Sequence, residues 1–334
     1  MSALELRDIV VEYESADGGR LRAVAGASIS VDAGEIVGLV GESGCGKSTL
    51  ARAAVGLART SAGSVVFEGR EVPHLGRRGR DRGLARLQLV FQNPYASLNP
   101  RRRVGSQLAD ALADLRLLPA AKRPARTREL CELVGLPADT VDRFPHEFSG
   151  GQRQRIAVAR ALAAEPSVIV LDEPLASLDA SAQAQLANLL VGLSRDLNLG
   201  LLLISHDLAI VRHVAHRVSV MYLGTMVETG EAHELWERPL HPYSESLIGA
   251  IPHPDGEGFL PTAPSGEVPD PRDPPSGCRF HPRCPYVFDR CRRDVPALVE
   301  LAGGRSAACW LQPAGAEPAS PAARVKLVGA PSVE

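Results

Sequence analysis

The chain has 334 residues, enough for one large domain or two smaller ones. Hydrophobic residues make up 45% and charged residues 23% of it, which is ordinary for a soluble globular protein. The formal net charge is −2, so no whole-chain basic field favours a nucleic acid as the partner. No apolar run approaches the ~20 residues that span a bilayer, and residues 1–6 lack the features of a signal peptide. A cytoplasmic protein is expected, with any link to a membrane made through a partner.

Strands and helices alternate along the chain. Strand patterns lie at 4–13, 21–31, 35–40, 64–67, 87–92, 168–171, 201–204, 217–222 and 225–229. Helical patterns lie at 49–55, 103–135, 153–164 and 180–197, and a further helix follows Asp207. Pro119 and Pro124 are expected to break the second of these helical stretches. The sequence therefore predicts an α/β domain with an inserted helical segment.

The stretch 41–48, Gly-Glu-Ser-Gly-Cys-Gly-Lys-Ser, matches the phosphate-binding pattern Gly-x-x-x-x-Gly-Lys-Ser/Thr. It lies between a predicted strand and a predicted helix, which is the context that the motif requires. Glycines let backbone N–H groups turn towards phosphates, and the helix N-terminus adds its positive dipole end. Lys47 is expected to reach the β- and γ-phosphates, and Ser48 to hold Mg²⁺. The residues predicted to contact the nucleotide here are Gly41, Ser43, Gly44, Cys45, Gly46, Lys47, Ser48 and Thr49.

Polar residues follow two of the buried strands. Asp172 and Glu173 come directly after the apolar run 168–171, at the strand end where α/β sheets bind ligands. Asp172 suits Mg²⁺, and Glu173 suits orienting or deprotonating an attacking water. The pair could instead cap a helix, but the phosphate loop favours the first interpretation. His206 follows the strand 201–204 and could donate a hydrogen bond to a γ-phosphate, although a lone histidine is more often structural.

Two further features stay open on local grounds. Tyr13 ends a strand and could stack on an adenine ring or be an ordinary edge residue. The segment Ser149, Gly150, Gly151 and Gln152 opens a helix. It could offer N–H donors to an anion, or it could be a serine-capped helix start with no ligand.

Taken together, five landmarks stand in one order: the loop 41–48, Gln92, 149–152, 172–173 and His206. They resemble the ATP-binding cassette family, the ATPase subunits of ABC transporters, over about residues 4–250. Ser-Gly-Gly-Gln is that family's own signature. The resemblance implies a phosphate-loop (RecA-like) α/β nucleotide-binding domain with an antiparallel β part. It also implies an inserted α-helical subdomain at about 93–160.

The resemblance implies roles for the single residues around the nucleotide. Tyr13 falls where the family places its adenine-stacking aromatic. Glu173, His206 and Gln92 would be the catalytic residues, with His206 sensing the γ-phosphate and Gln92 also coupling to the membrane subunit. Mg²⁺ would be held by Ser48, Gln92 and Asp172.

The resemblance also implies a partner ATPase. The family works as a head-to-tail dimer with two ATP molecules between the subunits. Ser149, Gly150, Gly151 and Gln152 would contact the ATP bound by the partner, and Asp179 would lie at the dimer interface. Only one cassette is present in the sequence, so a second ATPase subunit is required, from a different chain or a second copy.

A narrower resemblance is to the dipeptide/oligopeptide permease branch, closest to its second, F-type ATPase. It is carried by Phe91–Tyr95, Ser97–Arg101, Phe148–Arg155, His241–Tyr243 and Gly266–Pro269. This implies a system of two ATPases, two integral membrane permease subunits and an extracytoplasmic binding protein that imports short peptides. The chain would lie at the cytoplasmic face of the membrane. Nickel and glutathione importers of the same branch share most of these motifs.

Two other classes of protein fit the sequence less well. Soluble cassette proteins that act on nucleic acid or ribosomes usually carry two cassettes or a long coiled-coil insertion, and this sequence has neither. A binding module without hydrolysis is disfavoured by the intact Asp172, Glu173 and His206.

The predicted domains are 1–235 for the ATPase, 236–311 for a C-terminal extension and 312–334 for a disordered tail. From about 235 onward, proline and glycine become frequent, which predicts a loosely structured extension. The tail 312–334 is rich in alanine, proline and serine and is expected to be mobile.

The extension contains four cysteines, Cys278, Cys284, Cys291 and Cys309, separated by five, six and seventeen residues. These are not the short Cys-x-x-Cys spacings of zinc sites, so spacing alone is a weak metal signal. The resemblance implies a [4Fe–4S] cluster on these residues, as in some members of the branch. Four reduced, partly buried thiols are the alternative. A fifth cysteine, Cys45, begins a helix beside Lys47, so its pKa is expected to be lowered and its alkylation to block ATP binding.

Overall fold

The computed structural model describes residues 2–14, 18–76, 81–93, 97–115, 118–251 and 266–312. Residues 94 and 95 of the permease-branch motif lie outside the described residues, as do 252–265 of the predicted extension. The predicted mobile tail likewise lies outside them from residue 313 on.

The strands and helices alternate as the sequence predicts. The strands are β1 (Leu4–Glu14), β2 (Arg20–Val31), β3 (Ile36–Val40), β4 (Ala62–Phe67), β5 (Arg70–Glu71), β6 (Leu87–Val90), β7 (Val168–Asp172), β8 (Gly200–Ser205), β9 (Arg217–Tyr222), β10 (Thr225–Glu231), β11 (Val299–Glu300) and β12 (Ser306–Ala307). The helices are α1 (Lys47–Ala54), α2 (Val104–Asp114), α3 (Arg123–Leu133), α4 (Gly150–Leu162), α5 (Ala180–Leu197), α6 (Leu208–Val214), α7 (Ala232–Glu237), α8 (Pro242–Gly249) and α9 (Asp289–Arg293).

The main sheet has the strand order β11-β12-β10-β9-β3-β8-β7-β6. Its strands from β9 to β6 run in parallel, whereas β10, β12 and β11 are antiparallel to their neighbours. Because parallel strands end at the same edge, the residues after Val40, Val90, Leu171 and Ser205 lie at one edge of this sheet. That edge carries the loops on which the sequence places the candidate site.

A second, antiparallel sheet with the order β2-β1-β4-β5 covers one face of the first. Strand β3 shows why both faces of the main sheet are buried. Val37 and Leu39 pack with the antiparallel sheet and α1, whereas Ile36 and Val40 pack with the helices of the opposite face. Alternate residues of a strand point to opposite faces, so this continuous apolar strand is buried on both faces.

Helix α5 illustrates why some boundaries follow directly from the sequence. Asp179 precedes it, and its Oδ1 accepts a hydrogen bond from the Ala182 N–H at 2.9 Å. Asn198 ends it in the left-handed region at φ 52°. An acidic N-cap and an asparagine C-cap are the usual signals of helix ends, and the predicted range 180–197 is confirmed.

The inserted segment contains α2, α3 and α4. A break after α2 agrees with the prediction at Pro119, but the prediction that Pro124 breaks a helix is wrong. Pro124 lies in the first turn of α3. Proline is tolerated there because the first N–H groups of a helix have no partner within it.

The described part of the extension is not loosely structured, contrary to the prediction. Tyr243 and Phe280 are almost fully buried and belong to the same core as Tyr222 of β9. The ring centroids of Tyr222 and Tyr243 lie 4.6 Å apart, and those of Tyr222 and Phe280 lie 5.3 Å apart. Strand β12 also pairs with β10 and extends the main sheet. The sequence of this segment has little hydrophobic periodicity, because a few large aromatic side chains and ion pairs hold it in place. The folding was therefore not predicted.

One buried ion pair fixes the extension to the sheet. Glu228 of β10 is 0% exposed, and its Oε1 lies 2.9 Å from Nη2 of Arg305. The same carboxylate accepts the N–H groups of Leu240 and His241, each at 2.8 Å. Arg305 also donates to the carbonyl oxygen of Arg238 at 2.6 Å. Breaking such a pair would leave a charge buried without its partner.

None of the helices in the described part of the chain is both long enough and apolar enough to cross a membrane.

Candidate active site

The loop between β3 and α1 depends on glycines at both ends. Gly41 has φ 154° and Gly46 has φ 107°, values that favour glycine. A Cβ on Gly41 would lie 2.2 Å from the carbonyl oxygen of Met221, and one on Gly46 would lie 2.3 Å from that of Ala23. Both approaches exclude a side chain. The loop is therefore wedged against β9 and β2, while Gly44 between these ends faces open space.

Lys47 is curled over this loop. Its side chain is buried, and its Nζ donates to the carbonyl oxygens of Gly41 at 2.7 Å and Glu42 at 2.9 Å. Lys47 is also the first residue of α1, where the helix presents N–H groups and the positive end of its dipole. An ammonium group, a helix N-terminus and open space at Gly44 together make a site for an anion.

Ser48 and Asp172 lie beside the loop in direct contact. The Ser48 hydroxyl donates to Asp172 Oδ1 at 2.7 Å. Burial raises the pKa of Asp172, and the hydrogen bond from Ser48 and the charge of Arg52 oppose that shift. Hydroxyl and carboxylate oxygens are the ligands that Mg²⁺ prefers. These two donors therefore fit a magnesium site next to bound phosphates.

The structure brings Gln92, Glu173 and His206 together. Glu173 Oε2 lies 3.0 Å from Nδ1 of His206 and 3.4 Å from Nε2 of Gln92. A carboxylate accepts hydrogen bonds only, so Nδ1 of His206 carries the proton in this contact. The three side chains come from the ends of three neighbouring strands. The Glu173 carboxylate is the centre of the group.

Glu173 holds an unusual backbone conformation. Its φ is 47°, in the left-handed region that residues with a Cβ rarely adopt. Its N–H donates to the carbonyl oxygen of Ile204 at 3.1 Å, which continues the hydrogen bonding of β7 to β8. Such conformations cluster at functional sites, where the surrounding structure maintains them. The turn aims the carboxylate at His206 and Gln92 instead of along the strand.

The segment 149–152 lies at the start of α4, away from the phosphate loop. Ser149 Oγ accepts the N–H of Gln152 at 3.3 Å, and Gln152 Oε1 accepts the N–H of Ser149 at 3.0 Å. A Cβ on Gly151 would lie 3.2 Å from that of Ala182, so the segment adjoins the start of α5 and its exposed cap Asp179. Within the described ranges, no hydrogen bond or ion pair joins 149–152 to the loop 41–48.

Tyr13 lies on β1 with 40% of its surface exposed. It pairs with Leu21 on β2, and β2 contacts the phosphate loop where Ala23 approaches Gly46. The ring is therefore accessible on the strand pair that borders the loop. Ser43 in the loop is exposed, and Thr49 in the first turn of α1 is partly exposed.

Comparison with known proteins identifies the family. Residues 24–176 match the ABC transporter family, and residues 227–291 match the oligopeptide/dipeptide transporter C-terminal region. A probable peptide ABC transporter ATP-binding protein of Sinorhizobium fredii is 46% identical over 309 residues, 92% of this chain and 88% of the relative. The chain belongs to the ATP-binding subunits of ABC transporters.

Two further similarities agree with this ABC family. The di/tripeptide transport ATP-binding protein DppF of Pseudomonas aeruginosa is 46% identical over 319 residues, 92% of this chain and 97% of the relative. The solved structure of cbiO1 from Clostridium perfringens, part of an ABC transporter complex, matches with a TM-score of 0.61 at 26% identity. That match covers 71% of this chain and 91% of cbiO1. The predicted ABC fold is confirmed.

The expectation that the pKa of Cys45 is lowered in this ABC ATPase is wrong. Its thiol is only 4% exposed, and burial raises its pKa although Lys47 opposes the shift. The Lys47 ammonium is directed to the loop carbonyls, and its distance to the Cys45 sulfur is 3.8 Å. Desolvation outweighs the nearby charge, so Cys45 is a protonated, sheltered thiol.

The four cysteines of the ABC ATPase's extension line one cavity, together with His241 and His281. Burial raises the pKa of Cys284 and of Cys309 to about 12, so these thiols are protonated at neutral pH. Among the residues that the structure describes, no group of three or more histidines, cysteines or acids could hold a metal ion. The geometry is that of four neighbouring thiols.

A cleft of about 460 Å³ lies beside β6, where Gln88 lines it, and was not predicted from the sequence. Its walls also include Asn99 and Arg102, which precede α2, Asp110 from α2, and Arg160 from α4. The Arg160 side chain donates to the carbonyl oxygen of Ser97. The cleft therefore lies between the inserted helices of the ABC ATPase and its main sheet, with charges of both signs in its wall.

Sequence reasoning also missed the partners of Glu42, the second residue of the phosphate loop. Glu42 contacts Tyr243 and Arg283, both from the C-terminal extension of the ABC ATPase. The motif leaves this loop position unspecified, and the partners are about 200 residues or more away in the chain. The permease-branch pattern His-Pro-Tyr, which contains Tyr243, and the cysteines on either side of Arg283 pointed to that region, but not to its contact with the loop.

Proposed function

We propose that this subunit hydrolyses ATP to drive the import of di- and oligopeptides through an ABC transporter. The observation that carries the proposal is the meeting of four loops at one sheet edge. Lys47, the pair of Ser48 and Asp172, and the Glu173 group lie side by side there, which supports an anion site next to a magnesium site and a catalytic group. The relatives named for peptide transport support the choice of cargo.

ATP would bind to the loop 41–48 and Tyr13. The phosphates would accept N–H groups of the loop and of the first turn of α1, and Lys47 would exchange its loop carbonyls for phosphate oxygens. The exposed ring of Tyr13 would stack on the adenine, since it lies on the strand pair that borders the loop. Ser43 and Thr49 would complete the polar contacts.

Mg²⁺ would be held by Ser48 and Asp172, with Gln92 nearby. The ion neutralises the charge of the β- and γ-phosphates when it is bound. The hydrogen bond between Ser48 and Asp172 would orient both oxygens before the ion binds. Because Asp172 is buried, little water would compete with these oxygens for the ion.

Hydrolysis would be carried by Glu173. A water oxygen forms a bond to the γ-phosphorus, and the bond from that phosphorus to the β–γ bridging oxygen breaks, releasing ADP and phosphate. Glu173 orients this water and accepts its proton. His206 would donate to the γ-phosphate, and its hydrogen bond to Glu173 links the sensing of the γ-phosphate to the position of the carboxylate.

The second half of each site would come from a partner ATPase. In this chain the segment 149–152 and Asp179 lie together on an exposed surface, apart from the chain's own phosphate loop. A head-to-tail partner would bring such a surface over the bound ATP. The N–H groups at the start of α4 would then face the γ-phosphate. The partner is a different chain or a second copy.

Two integral membrane permease subunits would complete the transporter, with an extracytoplasmic substrate-binding protein acting through them. The chain would lie peripherally on the cytoplasmic face, and no nucleic acid is involved. We propose that a cytoplasmic segment of a permease subunit docks in the cleft formed by Arg102, Asp110 and Arg160. Gln88 of β6, the strand that Gln92 follows, also lines this cleft, so movement there would reach the catalytic group.

A [4Fe–4S] cluster is a separate proposal for the extension. The donors would be Cys278, Cys284, Cys291 and Cys309, which line one cavity. They would have to lose their protons and move into cluster-binding positions to supply the four thiolates that such clusters take. No step of ATP hydrolysis is assigned to it. Iron and acid-labile sulfide should co-purify with anaerobically prepared protein. A full titre of reactive thiols without iron would favour the alternative of four reduced cysteines.

The cargo is tested by uptake of labelled dipeptides, longer peptides, nickel and glutathione in cells. Wild type is compared with chromosomal Glu173→Gln, and Glu165→Gln is the matched control, since Glu165 is exposed and has a similar φ of 48°. Loss of peptide uptake in Glu173→Gln alone supports the proposal. Loss of nickel or glutathione uptake instead keeps the mechanism and changes the cargo. Unchanged uptake of every substrate would contradict the transport role.

A further inference from the structure

The second residue of the phosphate loop is held mainly from the extension. The Glu42 N–H donates to the Tyr243 hydroxyl at 2.8 Å. Its carboxylate accepts both terminal nitrogens of Arg283, at 2.8 and 2.9 Å. Its carbonyl oxygen accepts from Lys47 at 2.9 Å. Of these three partners, Lys47 is the one expected to turn to phosphates, so Tyr243 and Arg283 are the lasting supports.

The side chain of Arg283 is held in place by the groups packed around it. Its side chain is 5% exposed, and the guanidinium lies 5.9 Å from the ring centroids of both Tyr222 and Phe280. It also donates to the Tyr222 hydroxyl at 3.4 Å. The fork with Glu42 raises the pKa of Arg283 further, so its charge is permanent. A planar, buried fork on a carboxylate fixes both distance and orientation.

The segment that carries Arg283 is itself anchored to the sheet. Arg279 donates to the carbonyl oxygen of Leu223 in the turn between β9 and β10. Residues 268–271 of the extension line a cavity of about 230 Å³ whose opposite wall is the loop 42–45. The buried pair of Glu228 and Arg305 holds the later part of the extension. The loop is therefore braced by a folded element.

We propose that Arg283, with Tyr243, is a positioning residue for the phosphate loop and acts through Glu42. The inference rests on the proposed ATP site. With the N–H of Glu42 taken by Tyr243 and its carboxylate by Arg283, the start of the loop cannot rotate. The following N–H groups therefore keep the orientation that the α- and β-phosphates require before a nucleotide arrives. Preorganisation of this kind increases affinity because less order has to be created on binding.

The test is equilibrium binding of MgATP and MgADP to the full-length chain. The variants are Arg283→Met, Arg283→Lys, Glu42→Gln and the double variant Glu42→Gln/Arg283→Met. The control is Arg293→Met, an exposed arginine of the same extension. Because a charge-assisted hydrogen-bonded pair is removed, Arg283→Met should lower the affinity for both nucleotides about ten-fold. The two affinities should fall equally, since the loop binds the phosphates that MgATP and MgADP have in common.

Further readouts separate positioning from a general structural role. A lysine keeps the positive charge but cannot form the two parallel hydrogen bonds of the guanidinium. Arg283→Lys should therefore bind nucleotides more tightly than Arg283→Met and more weakly than the wild type. The double variant should bind no more weakly than the weaker single variant, since both changes break one contact. Thermal unfolding is followed in parallel. If Arg283→Met does not fold, Glu42→Gln and Arg283→Lys carry the test.

Three results would overturn the inference. These are unchanged affinity in Glu42→Gln and both Arg283 variants, additive losses in the double variant, and a loss confined to MgATP. A wild type that binds neither nucleotide would overturn the proposed function and this inference with it. Wild-type binding with unaffected variants would remove only the inference.

Discussion

At the residue scale, Glu173, the proposed catalytic carboxylate, has a strained backbone. Its φ of 47° is unusual for a residue with a Cβ, and the N–H bond to Ile204 maintains it. This conformation places Oε2 of Glu173 3.0 Å from Nδ1 of His206 and 3.4 Å from Nε2 of Gln92. With an extended backbone at this position, the side chain would instead point to the face of the sheet opposite to that of Asp172.

Glu173→Gln should keep ATP binding and lose turnover. The amide has the size of the carboxylate but cannot accept a proton, and general base catalysis contributes about 10²–10⁴ in rate. ATP hydrolysis by the assembled transporter should fall within that range, and ATP should trap the closed dimer, visible by size-exclusion chromatography. Glu165→Gln should behave like wild type. Near-normal turnover in Glu173→Gln would remove Glu173 from its proposed role.

Cys45 should react slowly with maleimides despite its place beside Lys47. Because burial raises its pKa, the thiolate fraction is smaller than that of a free cysteine at every pH below the raised value. Labelling should therefore be minor at neutral pH and rise only at a higher pH than for a free cysteine. Mass spectrometry of the tryptic peptides reports the extent, with denatured protein as the fully labelled control. Fast labelling at neutral pH would contradict the sheltered thiol.

Which site residues could be foreseen depends on their separation in the chain. Lys47 and Ser48 belong to one short motif whose chemistry is local, so the sequence was sufficient to predict an anion site there. Glu173 and His206 were found because each follows an apolar strand. The contact of Glu42 with Arg283 spans 241 residues and has no periodic pattern, so no sequence argument could place it.

At the element scale, regular strands and helices were predictable and the extension was not. The strands of the parallel sheet are apolar runs with clear ends, and α5 has side-chain signals at both ends. The described part of the extension instead has short elements, α8, α9, β11 and β12, with irregular segments around them. Its order comes from burial of Tyr243, Phe280 and the pair of Glu228 and Arg305, and such contacts leave no periodic trace.

Replacing Arg305 should therefore destabilise the protein more than replacing a surface arginine would. Arg305→Met leaves the Glu228 carboxylate buried without its charge partner, which costs about 3–5 kcal/mol of unfolding free energy. Urea unfolding at neutral pH measures the change. Arg195→Met, from an exposed ion pair with Asp196, is the control and should change stability little. Adding Glu228→Gln to Arg305→Met should restore part of the loss. An Arg305→Met variant as stable as the control would contradict the argument.

At the scale of the whole molecule, the proposed function assigns to one chain half of two sites. Its phosphate loop and the Glu173 group face one edge of the sheet, whereas Ser149–Gln152 and Asp179 lie together on another surface. In the proposed transporter, a complete site would need the second surface from a partner. Binding and hydrolysis should therefore be separable by mutation.

Gly150→Asp should abolish ATP hydrolysis by the transporter while ATP affinity of the isolated chain changes less than about two-fold. A Cβ at Gly150 would meet only Leu178, at 3.5 Å, so the fold should tolerate the change. The added carboxylate would repel the phosphates bound by the partner. Gly192→Asp, a glycine of α5 whose Cβ would meet open space, is the matched control. Hydrolysis retained in Gly150→Asp would contradict a role of this surface in the partner's site.

The brace on the phosphate loop also sets an order of events during synthesis. Glu42 leaves the ribosome 241 residues before Arg283 does, a delay of ~10–50 s at usual rates of translation. Strand β3 and helix α1 can pair early, but the nascent cassette would not yet have a finished nucleotide pocket. Full affinity for ATP would come late, once Arg283 has emerged. A truncated product lacking the extension would then bind ATP more weakly than the whole chain, and would consume less of it as an uncoupled fragment.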